Sequence, residues 1–143
     1  MKKRRIAAPA AKVWAVLADF PAIATWAPNV DHSTATTEAH EGIGAVRRVQ
    51  SGRITLLETV VDWQPPRLLS YSLDGLPPIA GSVVTTWTLD EVDGITKVTV
   101  TTTITSRPNP ISRFVGRALS RQLGRAAKQM IGGLAARVEE AAK

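Results

Sequence analysis

Glu58 and Tyr71 are the two side chains in this sequence best placed to do chemistry. Glu58 is a carboxylate inside the half-apolar run "RITLLETVVDW", and Tyr71, the sole tyrosine, sits in "RLLSYSL". Either could hold a ligand's polar end or move a proton as a general acid or base. Each also has a plainer reading: Glu58 as an exposed strand carboxylate paired with Arg47 or Arg48, and Tyr71 as a wall residue with a satisfied hydroxyl. Other chemistries find little footing. Without cysteine there is no disulfide, thiolate nucleophile or thiolate metal site. His32 and His40 form no HxxxH or HExxH arrangement and have no sequence partner that specifies a catalytic pair, so both are expected in solvent and a metal site is not expected. "EGIGAV" is read as a hairpin turn rather than a nucleotide loop, because no helix follows it. No cofactor is implied.

Both candidates fall in strands, so a sheet must position them. "VDHSTATTE", "GAVRRVQ", "RITLLETVVDW", "RLLSYSL", "SVVTTWTLDEV" and "ITKVTVTTTIT" alternate or are rich in β-branched residues, with Gly or Pro in the breaks between them. Short connections imply antiparallel neighbours, and "KRRIAA" at the front brings the total to about seven strands. Parity places Leu69, Tyr71 and Leu73 on one face, together with Val83, Thr85, Trp87 and Leu89 and with Val98, Val100, Thr102 and Ile104. The strand holding Glu58 is ambiguous, since both of its registers look half buried.

Two short helices are expected between the first two strands. Ala10, Val13, Trp14 and Leu17 have the spacing of one helix face, and "DFPAIATWAPNV" reads as a further turn closed by Pro28. From Pro110 to about Ala141 the period is near 3.6, with Ile111, Phe114, Val115, Ala118, Leu119, Gln122, Leu123, Ala126, Met130, Leu134 and Val138 on the sheet-facing side. Gly116, Gly124, Gly132 and Gly133 weaken that helix, and close packing or bending would explain them. Trp14 and Trp26 are expected in the core, with Trp63 closing the sheet end.

The opening "MKKRRIAAPAAKVWAVLADF" has the basic start of an export signal, but Pro9 and Lys12 split its apolar stretch and the remainder is amphipathic, so it reads as strand then helix. A chain of 143 residues suits one domain, 1–143. It has no apolar run near the ~18 residues of a membrane helix, and a cytoplasmic location is expected. Part of the net charge of +6 recurs as Arg113, Arg117, Arg121 and Arg125 along the long helix. That stripe reads as a solvated face, because no aromatic residues interleave with it as stacking platforms. No nucleic-acid partner is expected, weak contact with an anionic surface stays open, and the oligomeric state is not specified.

Ala8-Pro9, Val13-Trp14, Leu17, Asp19-Phe20 and Trp26-x-Pro28, then Glu58, "DWQPPRLLSY" and a closing helix with Leu134 and Glu139, resemble in that order the polyketide cyclase/dehydrase and lipid-transport (START-like, SRPBCC) superfamily. The resemblance spans nearly the whole chain. It implies an α+β helix-grip fold, a seven-stranded curled antiparallel sheet wrapped around a long C-terminal helix with an apolar cavity between them. Small residues on both facing surfaces are consistent with such a space. Expected ligand contacts are Glu58, Tyr71, Leu73, Val83, Thr85, Trp87, Val100, Thr102, Gln122, Ala126 and Met130. In plant hormone receptors resembling this fold a Glu at the position of Glu58 lines the pocket. Gln50–Arg53 and Asp74–Gly81, the latter with apolar Leu76 and Ile79, lie where those receptors have entrance loops. The expected function is binding or transport of an apolar or amphipathic small molecule, lipid, polyketide or steroid-like. The alternatives are a cyclase/dehydratase using Glu58 or Tyr71, and an interaction module using the basic helix.

Overall fold

Seven strands form one sheet in the order β1-β7-β6-β5-β4-β3-β2, every neighbouring pair antiparallel. They are β1 (Lys2–Ile6), β2 (His32–Ala35), β3 (Val46–Ser51), β4 (Ile54–Gln64), β5 (Leu68–Asp74), β6 (Ser82–Val92) and β7 (Ile95–Thr105). Helix α1 (Ala10–Ala18) and a 3-10 segment, Phe20–Thr25, connect β1 to β2, a second 3-10 turn spans Pro78–Ala80, and helix α2 (Pro110–Ala141) closes the fold. The structure is a computed structural model and describes residues 1–141.

Local chemistry sets these boundaries. α1 buries Ala10, Val13, Trp14 and Leu17, and its first free amide, on Ala10, donates to Glu91 Oε1 at 2.6 Å, so a distant strand caps the helix. β6 and β7 join through Asp93-Gly94, both at positive φ, between the paired Val92 and Ile95. That is the backbone a two-residue hairpin turn with the strands' own twist requires. α2 starts on Pro110 with Asn109 Oδ1 accepting the Ser112 amide at 2.7 Å.

The ambiguity of β4 has a structural cause. Leu56, Glu58 and Val60 face inward, but the pairing shifts between Val60 and Asp62, so Val61 is an extra residue and parity reverses beyond it. Trp63 then faces inward and meets Trp14 edge-on, ring centroids 5.1 Å apart. Both registers are used, one on each side of the bulge.

α2 departs from the expected face in its first half. Its C-terminal half buries Ala127, Ile131, Leu134, Ala135 and Val138, while before these only Ser112 and Gly116 are buried. Ile111 and Phe114, expected against the sheet, are 64% and 72% exposed, and Ala118 and Gln122 are exposed too. The buried line of α2 instead runs through the small residues Ser112 and Gly116, the latter against Ile104 and Ser106, and continues to Ala127, Leu134 and Val138; Ile111 and Phe114 lie about 100° or more around the axis from Ser112. At Gly133 a Cβ would collide with the Trp26 carbonyl oxygen, which makes this glycine the point of closest approach between α2 and the segment after α1. Gly124, by contrast, has open space around it.

Candidate ligand site

Beneath the middle of α2, from Leu119 to Met130, lies a cavity of about 130 Å³. Its wall includes Glu58 from β4, Tyr71 and Leu73 from β5, Thr85 and Thr102 from β6 and β7, and Gln122, Ala126 and Met130 from α2. Leu76, from the connection after β5, also faces it, as do Ser51 and Ile54 beside the β3–β4 turn. Both connections expected at the entrance therefore reach the cavity. The Asp74–Gly81 connection is anchored at its far end, since Ser112 Oγ donates to the Ile79 carbonyl at 2.7 Å.

Val83, Trp87 and Val100 share the inward face but lie outside the cavity wall. Trp87 is buried edge-on against Trp26, centroids 6.0 Å apart, where the fold is filled rather than hollow. Strand parity says which way a side chain points and not how far along the strand the helix lifts away. His32 and His40 are exposed, and among the described residues no group of three or more His, Cys, Asp or Glu could hold a metal ion.

Glu58 combines both of its sequence readings: it reaches the cavity, and it is paired. Arg47 sits directly across the β3–β4 ladder from it and donates from Nε to Glu58 Oε1 at 2.8 Å, with both side chains almost fully buried. Arg47 Nη1 donates to the Phe20 carbonyl at 2.8 Å, and the guanidinium lies 3.8 Å from the Phe20 ring centroid and 4.7 Å from that of Tyr71. Planar, delocalised charge suits such a slot between rings. The second Glu58 oxygen has no hydrogen-bond partner among the described residues.

Tyr71 is the other polar end of the cavity. Its phenol oxygen accepts from Trp87 Nε1 at 3.2 Å, and no acceptor for its own proton lies in reach among the described residues. Burial, and secondarily the charge of Glu58, push its pKa from 10.0 up to about 12, against the opposing pull of Arg47. The side chain is therefore a fixed hydrogen-bond donor at neutral pH. Asn29 Oδ1, on a residue that also lines the cavity, is a buried acceptor without a partner among the described residues.

Because Tyr71 is the only tyrosine, alkaline titration of phenolate absorbance reads this one group. The expected midpoint is near 12 in the folded protein and near 10 once unfolded. The folded state keeps its proton longer, so stability should fall as pH rises from about 10 to 12, by roughly 3 kcal/mol in all. A midpoint near 10 in protein still folded by circular dichroism would place the phenol in water.

A family model described as polyketide cyclase / dehydrase and lipid transport matches residues 2–139. The chain belongs to this family. No curated protein matches it. Among solved structures, the Zhui aromatase/cyclase from Streptomyces sp. R1128 superposes with a TM-score of 0.82 at 22% identity, covering 99% of this chain and 93% of that one. A protein from Thermobifida fusca gives 0.78 at 25% identity, over 97% and 91%. The di-domain ARO/CYC BexL from the BE-7585A biosynthetic pathway gives 0.71 at 18% identity, over 96% of this chain and 48% of that one. The helix-grip architecture that the resemblance implied is thus the one found, and the cavity lies between its sheet and long helix.

Arg47 is the site residue that sequence reasoning undervalued, having been considered only as a surface partner of Glu58. A signal was available. Ser51 pairs with Ile54 across Gly52-Arg53, and counting back from that two-residue turn sets Arg47 opposite Glu58.

Proposed function

We propose that this member of the polyketide cyclase/dehydrase and lipid-transport family binds a compact apolar or aromatic molecule carrying at least one oxygen. The observation that carries this reading is a small, mostly apolar cavity with a free phenolic donor, Tyr71, at its wall. A cavity of ~150 Å³ holds a single benzene ring, so about 130 Å³ suits one ring or a short branched chain. A steroid or fused polyketide would have to extend through the entrance between Ser51, Leu76 and Gln122. Tyr71 would donate to a carbonyl or ether oxygen, while Asn29 Oδ1 and the free Glu58 oxygen would accept from a hydroxyl.

Cyclase or dehydratase chemistry at the same residues is the second reading, favoured by the family's description and by the aromatase/cyclase relatives. Two features rank it below binding. A phenol with a pKa of about 12 is a poor proton donor at neutral pH, where an efficient acid or base titrates near the working pH. Glu58, the available base, is already bonded to Arg47.

Tyr71→Phe tests the reading. It removes the donor while keeping the ring, so affinity for acetophenone, measured by calorimetry, should fall about tenfold, the weight of one hydrogen bond. Ethylbenzene, of similar size without the oxygen, should bind unchanged. Loss of neither would remove Tyr71 from the site. Turnover of a poly-β-ketone substrate that disappears in Tyr71→Phe would promote the catalytic reading.

A further inference from the structure

The outer face of α2's first half carries features that the cavity does not use. Ile111, Phe114, Ala118, Arg121 and Arg125 are spaced three and four apart, so they form one stripe along the helix, and all five are exposed. The stripe starts apolar and ends basic, and Arg113 and Arg117, also exposed, flank it. Phe114 therefore does interleave with the arginines, against the sequence expectation of a face without aromatics. Beside the first turn lies Ile79, 40% exposed, whose carbonyl is held by Ser112.

Charge is equally one-sided. From Gly94 to Val138 the sequence contains eight Lys or Arg and no Asp or Glu. Among the described residues none of Arg113, Arg117, Arg121 and Arg125 has a carboxylate within ion-pair distance. A merely solvated face does not require a phenylalanine, an isoleucine and a run of uncompensated cations on the same turns.

We propose that this face docks on an anionic lipid bilayer, with Phe114, Ile111 and Ile79 entering the headgroup region and the arginines lying on phosphates. Apolar tips beside basic residues are the combination that holds a helix in the plane of such a surface. No helix among the described residues is long and apolar enough to cross a membrane, so docking would be peripheral. Nucleic acid is the weaker match: it rewards the arginines, but isoleucine tips gain nothing from phosphates, and one phenylalanine is a meagre stacking platform. An exposed apolar tip instead gains by leaving water for acyl chains. The proposal is independent of what the cavity holds.

Sedimentation with phosphatidylcholine vesicles, with and without phosphatidylglycerol, tests it. The protein should bind only the phosphatidylglycerol vesicles, with affinity falling steeply as salt rises. Arg121→Gln with Arg125→Gln should weaken binding roughly thirty-fold, counting each arginine at the usual strength near an anionic surface. Phe114→Ser should weaken it several-fold at fixed charge. All these positions are exposed, so the variants should fold, and a circular dichroism spectrum and thermal midpoint like the parent's would verify that separately. Equal binding to neutral vesicles, no binding to either kind, or variants that bind like the parent would overturn the proposal. Preference for a duplex or single-stranded oligonucleotide over the anionic vesicles would overturn it in favour of a nucleic-acid surface.

Discussion

Arg47→Met should destabilise the protein by about 3–5 kcal/mol, the cost of leaving one member of a buried ion pair without its partner. Arg47 is only 2% exposed, and four groups depend on it: the Glu58 carboxylate, the Phe20 carbonyl, and the Phe20 and Tyr71 rings beside its guanidinium. Methionine keeps most of the stem and leaves Glu58 charged in a mostly apolar wall. Against a typical total stability of ~5–15 kcal/mol, such a loss is a large fraction of what holds the chain folded. The companion variant decides why. Arg47→Met combined with Glu58→Leu removes both charges, and replacing a buried pair by apolar groups is often neutral or stabilising. The double variant should therefore recover most of the loss despite carrying one more substitution. Urea unfolding of parent, single and double variants measures this, provided the denaturant slope stays constant. A single variant that costs under about 1 kcal/mol would mean that water reaches the pair, since exposed pairs contribute no more than that.

This pair also changes how Glu58 is to be tested. Glu58→Gln would both alter the cavity wall and strip Arg47 of its counter-charge, so a lost activity could not be separated from a weakened fold. Tyr71→Phe is the cleaner probe, because among the described residues the phenol's one hydrogen bond is accepted from Trp87 and no ion pair depends on it.

Elements built on strict periodicity were legible from the residues. β6, β7 and α2 begin and end where alternation, the Asp93-Gly94 turn and Pro110 place them. What escaped was whatever depends on one residue breaking a period or on one surface parting from another. The extra residue at Val61 switches the inward face of β4 halfway along, and no single register fits both Glu58 and Trp63. Ile111 and Phe114 are exposed because the first turns of α2 bury the small residues Ser112 and Gly116 instead, a choice of face that apolar spacing alone does not reveal. Inward parity likewise grouped Thr85 and Thr102, which reach the cavity, with Trp87 and Val100, which are packed beside it. Periodicity reports direction, and a cavity is a question of distance.

Distance is what Ala126→Trp would remove. Ala126 lies on the part of α2 that spans the gap, its methyl facing the cavity. An indole exceeds the benzene ring for which ~150 Å³ suffices, and it would project into about 130 Å³. Two effects on stability oppose each other. Filling empty volume restores contacts that the lining lacks, a gain of about 0.5–2 kcal/mol in favourable cases. Forcing bulk past packed side chains costs about 1–3 kcal/mol. Since the space already exists and opens toward Leu76 and Gln122, the variant should fold with stability near that of the parent. Binding is not a balance of this kind: with the volume occupied, acetophenone and ethylbenzene alike should lose at least a hundredfold in affinity, equivalent to about 2.7 kcal/mol. Gln129→Trp, exposed on the same helix, serves as the control for adding an indole without filling anything. If folded Ala126→Trp binds both ligands as the parent does, they sit elsewhere on the protein. If the control loses binding as well, the effect belongs to the helix and not to the cavity.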